Sequence, residues 1–171
     1  MNSLIHCLKT LINSLLIFLF VALFTSCKES LLPFNTTSDQ NPNEPKQGIR
    51  GKIIYKEGTF DSKGNLLTNG TAIGVSRKIY FYELTGLREV DLDDGIFVSN
   101  IYSEIIDSTK SDKNGYYSEA LKPGMYSVFI EENDRLYSTL NDDGLFMPVR
   151  VYPDSVSRLN VYIDYKANYI E

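Results

Sequence analysis

Histidine, cysteine and tryptophan are almost absent from this 171-residue sequence, which has one His, two Cys and no Trp. The histidine is His6 and one cysteine is Cys7, so the chain after residue 26 has no histidine and one thiol, at Cys27. Residues 27–171 therefore lack the groups needed for a Ser-His-Asp triad, a Cys-His nucleophile pair, a Cys/His zinc site or a disulfide framework. Without a disulfide framework or a zinc site, we expect the hydrophobic core to stabilise the fold.

Residues 1–26 have the order of a secretory signal peptide. Lys9 supplies positive charge, the run LINSLLIFLFVALF is apolar, and small residues precede Cys27. Ser26 followed by Cys27 resembles the lipobox of bacterial lipoprotein precursors, whose cysteine is acylated and becomes the mature amino terminus. The resemblance implies lipidation of Cys27, and Lys28 after it implies transfer to the outer membrane. The alternative is a tilted membrane anchor, for which the apolar run is short.

Basic residues are few: 17 Lys and Arg stand against 22 Asp and Glu, which gives a formal net charge of −5. Nucleic acids and anionic bilayer surfaces both favour proteins with clustered Lys and Arg. The composition therefore predicts neither as a partner, and the acidic excess favours solubility.

The chain after the predicted signal peptide divides into a linker and one domain. Residues 27–47 comprise Cys27 and the segment KESLLPFNTTSDQNPNEPKQ, whose Pro, Asn, Ser and Thr content is typical of a flexible tether. Residues 48–171 have the length of one domain.

The domain alternates apolar and polar residues with a period of two, and no window predicts an amphipathic helix. In IRGKIIYK, Ile49, Gly51, Ile53 and Tyr55 share one face of a strand. MYSVFIEE and RLNVYIDY alternate in the same way, and turn signals such as DKNG, KPG and NDDG separate the runs. We therefore predict an all-β fold, an antiparallel Greek-key β-sandwich of about seven strands.

Three motifs of the domain resemble the carboxypeptidase regulatory-like group of transthyretin-like folds, close in architecture to Cna B-type repeats. The first strand carries IRGKI where the family shows V-x-G-x-V; Asp112 and Gly115 precede an aromatic residue; and Pro123, Gly124 and Tyr126 form P-G-x-Y. The resemblance implies a sandwich scaffold. It implies no particular activity, because the group occurs beside peptidases, transporters and adhesins.

Two turns shape the stretch SDKNGYYSEALKPGMYSVFI. Asn114 and Gly115 accept positive φ and are expected to join two antiparallel strands tightly. Pro123 cannot continue a central strand, and Gly124 is expected to allow a sharp entry into the next one.

Acidic clusters are the candidates for metal binding or catalysis. DLDDG, residues 91–95, is rich in the oxygen ligands that calcium prefers, but the EF-hand template does not fit it. Paired carboxylates could serve glycoside hydrolysis, yet the candidates all occupy runs that a polar strand face explains. These candidates are Glu83, Glu104, Glu119, Glu131 and Asp164. We predict no catalytic residue, no metal site and no cofactor.

The resemblance to Cna B-type repeats also implies a candidate isopeptide bond between Lys52 and either Asn160 or Asp164. Such a bond must form in a dry core. Alternation places Lys52 on the polar face with Arg50 and Lys56. We therefore interpret the match as coincidental.

Two triplets are candidate modification sites. DST at residues 107–109 and DSV at residues 154–156 resemble acceptor signals for O-glycosylation in some Gram-negative anaerobes of the gut. The resemblance implies glycans on Ser108 and Ser155, in segments that are predicted to be turns.

The run KIYFYEL, residues 78–84, is apolar on both faces. Ile79 and Phe81 lie on one face, and Tyr80 and Tyr82 lie on the other. We expect residues 85–110 to fold over the second face. Otherwise Tyr80 and Tyr82 form an exposed aromatic stripe, which is the tentative partner surface.

Together these features predict a non-catalytic, lipid-anchored module of the outer membrane or cell surface, facing the periplasm or the exterior. Its partner is expected to be a protein or a glycan, besides the membrane that holds the lipid on Cys27. A small carboxylate-dependent hydrolase and a structural spacer remain as alternatives.

Overall fold

The computed structural model describes residues 45–171. The predicted signal peptide, Cys27 and most of the predicted linker lie outside the described residues. Within residues 45–171 the chain forms twelve strands and a short 3₁₀ turn at Leu87–Glu89. The strands are β1 Gly48–Asp61, β2 Thr71–Gly74, β3 Lys78–Glu83, β4 Val90–Asp93, β5 Phe97–Ile101, β6 Ile105–Lys110, β7 Tyr116–Glu119, β8 Gly124–Glu132, β9 Arg135–Tyr137, β10 Pro148–Val151, β11 Val156–Arg158 and β12 Val161–Ile170.

The first sheet is organised around β1, which is long enough to pair with four other strands. Its amino-terminal half lies between antiparallel β7 and parallel β11, and its carboxy-terminal half lies between antiparallel β2 and parallel β12. Only Leu159 and Asn160 separate β11 from β12. These two strands therefore run beside β1 as one interrupted strand, and the sheet is mixed.

The second sheet has the order β4-β5-β9-β8-β3-β6, with β10 beside the first part of β8. All of its pairs are antiparallel. Strand β8 is its centre, because β3 flanks it on one side and β9 and β10 flank it on the other.

The DKNG turn connects the two sheets. It leads from β6 in the second sheet to β7 in the first, so the prediction that it closes a tight antiparallel pair is wrong. The carboxylate of Asp112 accepts hydrogen bonds from the backbone N–H groups of Asn114 and Tyr116, at 2.8 and 2.9 Å. Gly115 takes φ 89°, the left-handed conformation that glycine adopts at low cost.

The main core lies between the two sheets. Alternation brings Ile49 and Ile53 of β1 and Ile163 of β12 against Phe81 of β3 and Val128 of β8, and all five side chains are fully buried. This arrangement confirms the predicted all-β sandwich. The strands are more numerous than predicted, because segments between residues 71 and 110 that lack a long alternating run still pair as short strands.

Candidate functional site

Tyr82 packs against a second, smaller core on the outer side of the second sheet. Val90 and Val98, from the segment that was expected to cover this face, cluster there with Phe129 and Phe146. The ring of Tyr82 meets Phe129 edge to face, with 5.4 Å between centroids. Strands β4, β5 and β6, which make up most of residues 85–110, extend the sheet that contains β3, so the expectation that this segment folds over the outer face of β3 is wrong for them. Tyr82 is half-buried against the cluster.

Tyr80 is engaged with charged neighbours. Its hydroxyl donates a 2.6 Å hydrogen bond to Glu131, and the ammonium of Lys78 lies 4.8 Å from its ring centroid. The ring is half-buried. Tyr80 and Tyr82 thus present only part of each ring to solvent, and their role as a partner surface stays a prediction.

The two candidate glycosylation serines are both exposed, in different settings. Ser108 lies in β6, an edge strand whose residues 107–109 pair with β3, so the prediction of a turn at this triplet is wrong. Asp154, with φ 51°, lies in a turn, and Ser155 follows it immediately before β11.

Two carboxylates lie where the sheets meet beside a group of tyrosines. Glu132 is 2% exposed and accepts hydrogen bonds from Arg77 at 2.5 Å, from Asn133 at 3.0 Å and from Tyr165 at 3.2 Å. Asp164 accepts hydrogen bonds from Tyr137 and Tyr169, each at 2.9 Å. Every carboxylate oxygen of this pair has a protein donor, which favours a structural role for both acids.

The same contacts perturb the tyrosines. Burial, together with the hydrogen bond to Asp164, raises the pKa of Tyr169 to about 12. Burial also raises the pKa of Tyr137 well above its ordinary value. Both phenols therefore stay protonated at neutral pH and act as hydrogen-bond donors to Asp164.

The acidic loop at residues 91–95 is tied to neighbouring side chains. Asp91 accepts hydrogen bonds from Tyr102 at 2.6 Å and from Asn100 at 3.0 Å, and these bonds lower the pKa of its carboxyl. Asp93 and Asp94 pair with Arg135 at 3.3 and 3.5 Å. In residues 45–171, no group of three or more His, Cys, Asp or Glu residues is placed to bind a metal ion.

The outer face of the first sheet combines basic and aromatic side chains. Strand register places Arg50, Lys52 and Lys56 of β1 on the side opposite the buried Ile49 and Ile53. Arg158 is the register partner of Arg50, Tyr116 that of Lys52, and Tyr162 that of Ile54. We call this surface the basic tyrosine face; it consists of Arg50, Lys52, Lys56, Tyr116, Arg158, Tyr162 and Tyr169.

The lysines of this face lie against its rings. The Lys52 ammonium is 4.8 Å from the centroid of Tyr116. The Lys56 ammonium is 4.8 Å from the centroids of Phe60 and Tyr162 and 5.5 Å from that of Tyr169. Such contacts hold a cation near the sheet through attraction to the negative face of the ring.

The position of Lys52 agrees with the interpretation of the isopeptide match as coincidental. Its side chain lies over Tyr116 on the outer face, and the side-chain oxygen of Asn160 accepts a 3.1 Å hydrogen bond from the backbone N–H of Lys52. The side chain of Asn160 therefore links the backbone of β1 to the gap between β11 and β12.

No helix in the described part of the chain is long and apolar enough to cross a membrane. Comparison of the chain with protein-family models, with curated proteins and with solved structures gave no significant match.

Proposed function

We propose that the chain is a non-catalytic binding module, held at the outer membrane or cell surface by lipid on Cys27, and that its basic tyrosine face binds a protein or glycan partner. The observation that carries the proposal is the exposure of Tyr116, Tyr162 and Tyr169, which are 59%, 43% and 45% exposed beside basic side chains. Tyrosine suits interfaces because it combines a large apolar ring with a polar tip.

The absence of a catalytic role is supported by the chemistry of the available groups. The chain after residue 26 has no histidine. The buried Glu132 and the half-buried Asp164 both have a protein hydrogen-bond donor at each carboxylate oxygen. Three sequence motifs resemble the carboxypeptidase regulatory-like scaffold. They support the same proposal, because that scaffold occurs beside peptidases, transporters and adhesins and implies no activity of its own.

Lipid attachment can be tested with the two cysteines of the precursor. We expect Cys27→Ala to abolish incorporation of labelled fatty acid and to move the protein from the detergent phase to the soluble periplasmic fraction. Cys7→Ala is the matched control and should keep the label, because Cys7 lies inside the predicted signal peptide. An unlabelled wild-type chain that remains in the membrane as an uncleaved precursor would identify residues 1–26 as an anchor instead.

The binding function can be tested by crosslinking intact cells that produce the chain and identifying what co-purifies. The control is a variant of the proposed face, Lys52→Gln/Lys56→Gln/Arg158→Gln. We expect a partner that the wild-type chain captures and the variant does not. Equal capture by both chains would contradict the assignment of the face.

A further inference from the structure

We propose, building on the binding function above, that the partner of the basic tyrosine face is an acidic polysaccharide, a polymer whose sugar rings carry carboxylate or sulfate groups. The inference combines three properties of this face: its charge, its exposed rings and the fixed position of its lysines.

The charge of the face is opposite to that of the whole chain. Net charge is −5, yet Arg50, Lys52, Lys56 and Arg158 share this one surface. The register positions that face outward on β1, β2, β7 and β11 include no Asp or Glu. The carboxylate in contact with the face is Asp164 of β12, which accepts the hydroxyl of Tyr169 and two protein hydrogen bonds in all. A local positive patch on an acidic protein favours an anionic partner at that patch and disfavours it elsewhere.

The exposed rings favour sugars among anionic partners. One side of a sugar ring presents C–H groups, which pack on an aromatic face, and its acidic substituent pairs with a cation beside that face. Tyr116 and Tyr162 each have a lysine ammonium 4.8 Å from the ring centroid. Tyr116 and Tyr162 remain 59% and 43% exposed beside these ammonium groups. The carboxylate or sulfate of one acidic sugar can therefore pair with the ammonium while its C–H groups pack on the part of the ring that the ammonium leaves uncovered.

The low number of cations argues against nucleic acid. A nucleic acid carries a charge at each phosphate, and its affinity depends on many simultaneous basic contacts. Four basic side chains on a chain of net charge −5 suit a polymer with more widely spaced charges. Lys52 and Lys56 are four residues apart on one strand, about 13 Å, so they contact separate sugars of an extended polymer.

The lysines are already positioned for binding. Lys56 lies among three rings, and its ammonium is 3.5 Å from the hydroxyl of Tyr169. Holding a long side chain in place before binding reduces the entropy lost on association. Arg158 has no such contact with an aromatic ring of residues 45–171. We therefore expect Lys56 to contribute more to affinity than Arg158.

The test uses the purified full chain and polygalacturonate as the probe, with the fully methyl-esterified polymer as a neutral probe of the same backbone. We expect binding to polygalacturonate that weakens as salt increases, and no measurable binding to the ester. Lys52→Gln/Lys56→Gln/Arg158→Gln should weaken it by about tenfold or more, because three surface charge contacts are lost. Lys78→Gln/Arg88→Gln/Lys110→Gln removes the same charge away from the face and should change binding by less than about twofold.

A second variant tests the rings. Tyr116→Ser/Tyr162→Ser keeps every charge and should weaken polygalacturonate binding several-fold while leaving binding to duplex DNA unchanged. Equal loss in both charge variants, or binding of the ester as tight as that of the acid, overturns the proposal. So does tighter binding to duplex DNA, to phosphatidylglycerol vesicles or to a second copy of the chain, measured by sedimentation. If these tests fail while crosslinking still captures a partner dependent on the face, the binding function stands and only the polysaccharide is rejected.

Discussion

Replacing Gly51 with alanine is expected to lower the free energy of unfolding by about 3 kcal/mol or more, the largest effect of any single methyl group that we predict. A Cβ at this position would lie 1.7 Å from the backbone oxygen of Leu159. That oxygen also accepts a 2.7 Å hydrogen bond from the buried Tyr117 hydroxyl. The methyl group must therefore displace backbone, and it would break the Tyr117 bond as it does so.

Thermal unfolding of the purified chain measures this effect, and we expect a fall in melting temperature of roughly 10 °C. Gly124→Ala is the matched control: its nearest contact is the Tyr126 side chain at 3.2 Å, and its φ is not positive. We expect a change of less than about 1 kcal/mol there, because a side chain can shift more easily than backbone. Equal stability of the two variants would contradict the prediction, because it would show that the backbone between β11 and β12 can shift to accommodate the methyl group at little cost in free energy.

The two glycines predicted to form turns, Gly115 and Gly124, differ in backbone conformation. Gly124 was expected to permit a sharp corner, but the left-handed glycine of that stretch is Gly115. The sequence pattern marks both residues as turn formers and cannot distinguish them, because the difference depends on contacts with Ile53, far away in the chain.

The core was predictable where alternation is clean. The side chains assigned to one face of their strands, Ile49 and Ile53 in β1, Val128 and Ile130 in β8 and Val161 in β12, are buried. A period of two with one apolar face is enough to predict which side chains of a strand face the core. The fold class follows from several such runs separated by turns.

The pairing of distant strands was not predictable. Strand β1 runs parallel to β11 and β12, about a hundred residues later in the chain, and no local signal in either segment specifies that register. Alternation does place Arg50, Lys52 and Lys56 on one polar face of β1. It cannot show that Tyr116 and Tyr162 flank them, so the basic tyrosine face was missed.

The run KIYFYEL shows a second limit. Period two separates Ile79 and Phe81 from Tyr80 and Tyr82 but does not say which pair faces the main core. The structure places Ile79 and Phe81 there, at full burial. Tyr82 instead packs on the outer face against a cluster that includes Val98, and the position of Val98 depends on the pairing of β5 with β9.

Glu132 is a buried charged residue that was missed from the sequence, although alternation along β8 could have identified it. It continues the parity of Val128 and Ile130 along β8, so alternation directs it toward the core. A carboxylate at such a position requires a buried partner. The structure supplies Arg77, from the segment that enters β3.

Removing that partner is expected to cost about 3 to 5 kcal/mol of unfolding free energy in the variant Arg77→Ala, because a carboxylate that is 3% exposed would lose its counter-charge. Denaturant unfolding measures the loss. Arg135→Ala is the contrasting variant, because its carboxylate partners Asp93 and Asp94 are 43% and 77% exposed and water replaces the lost ion pairs. Its guanidinium also stacks 3.7 Å from the centroid of Phe97, so we expect a loss of about 1 to 2 kcal/mol.

The double variant Arg77→Ala/Glu132→Gln separates a charge effect from a packing effect. Glutamine keeps the shape of the side chain and can still accept hydrogen bonds from Asn133 and Tyr165, but it carries no charge. If the buried charge causes the loss, the double variant should be more stable than Arg77→Ala alone, and the cycle should give a coupling energy of about 2 kcal/mol or more. A coupling energy near zero would mean that Arg77 stabilises the fold through packing of its side chain, because the loss would then persist whether or not position 132 is charged.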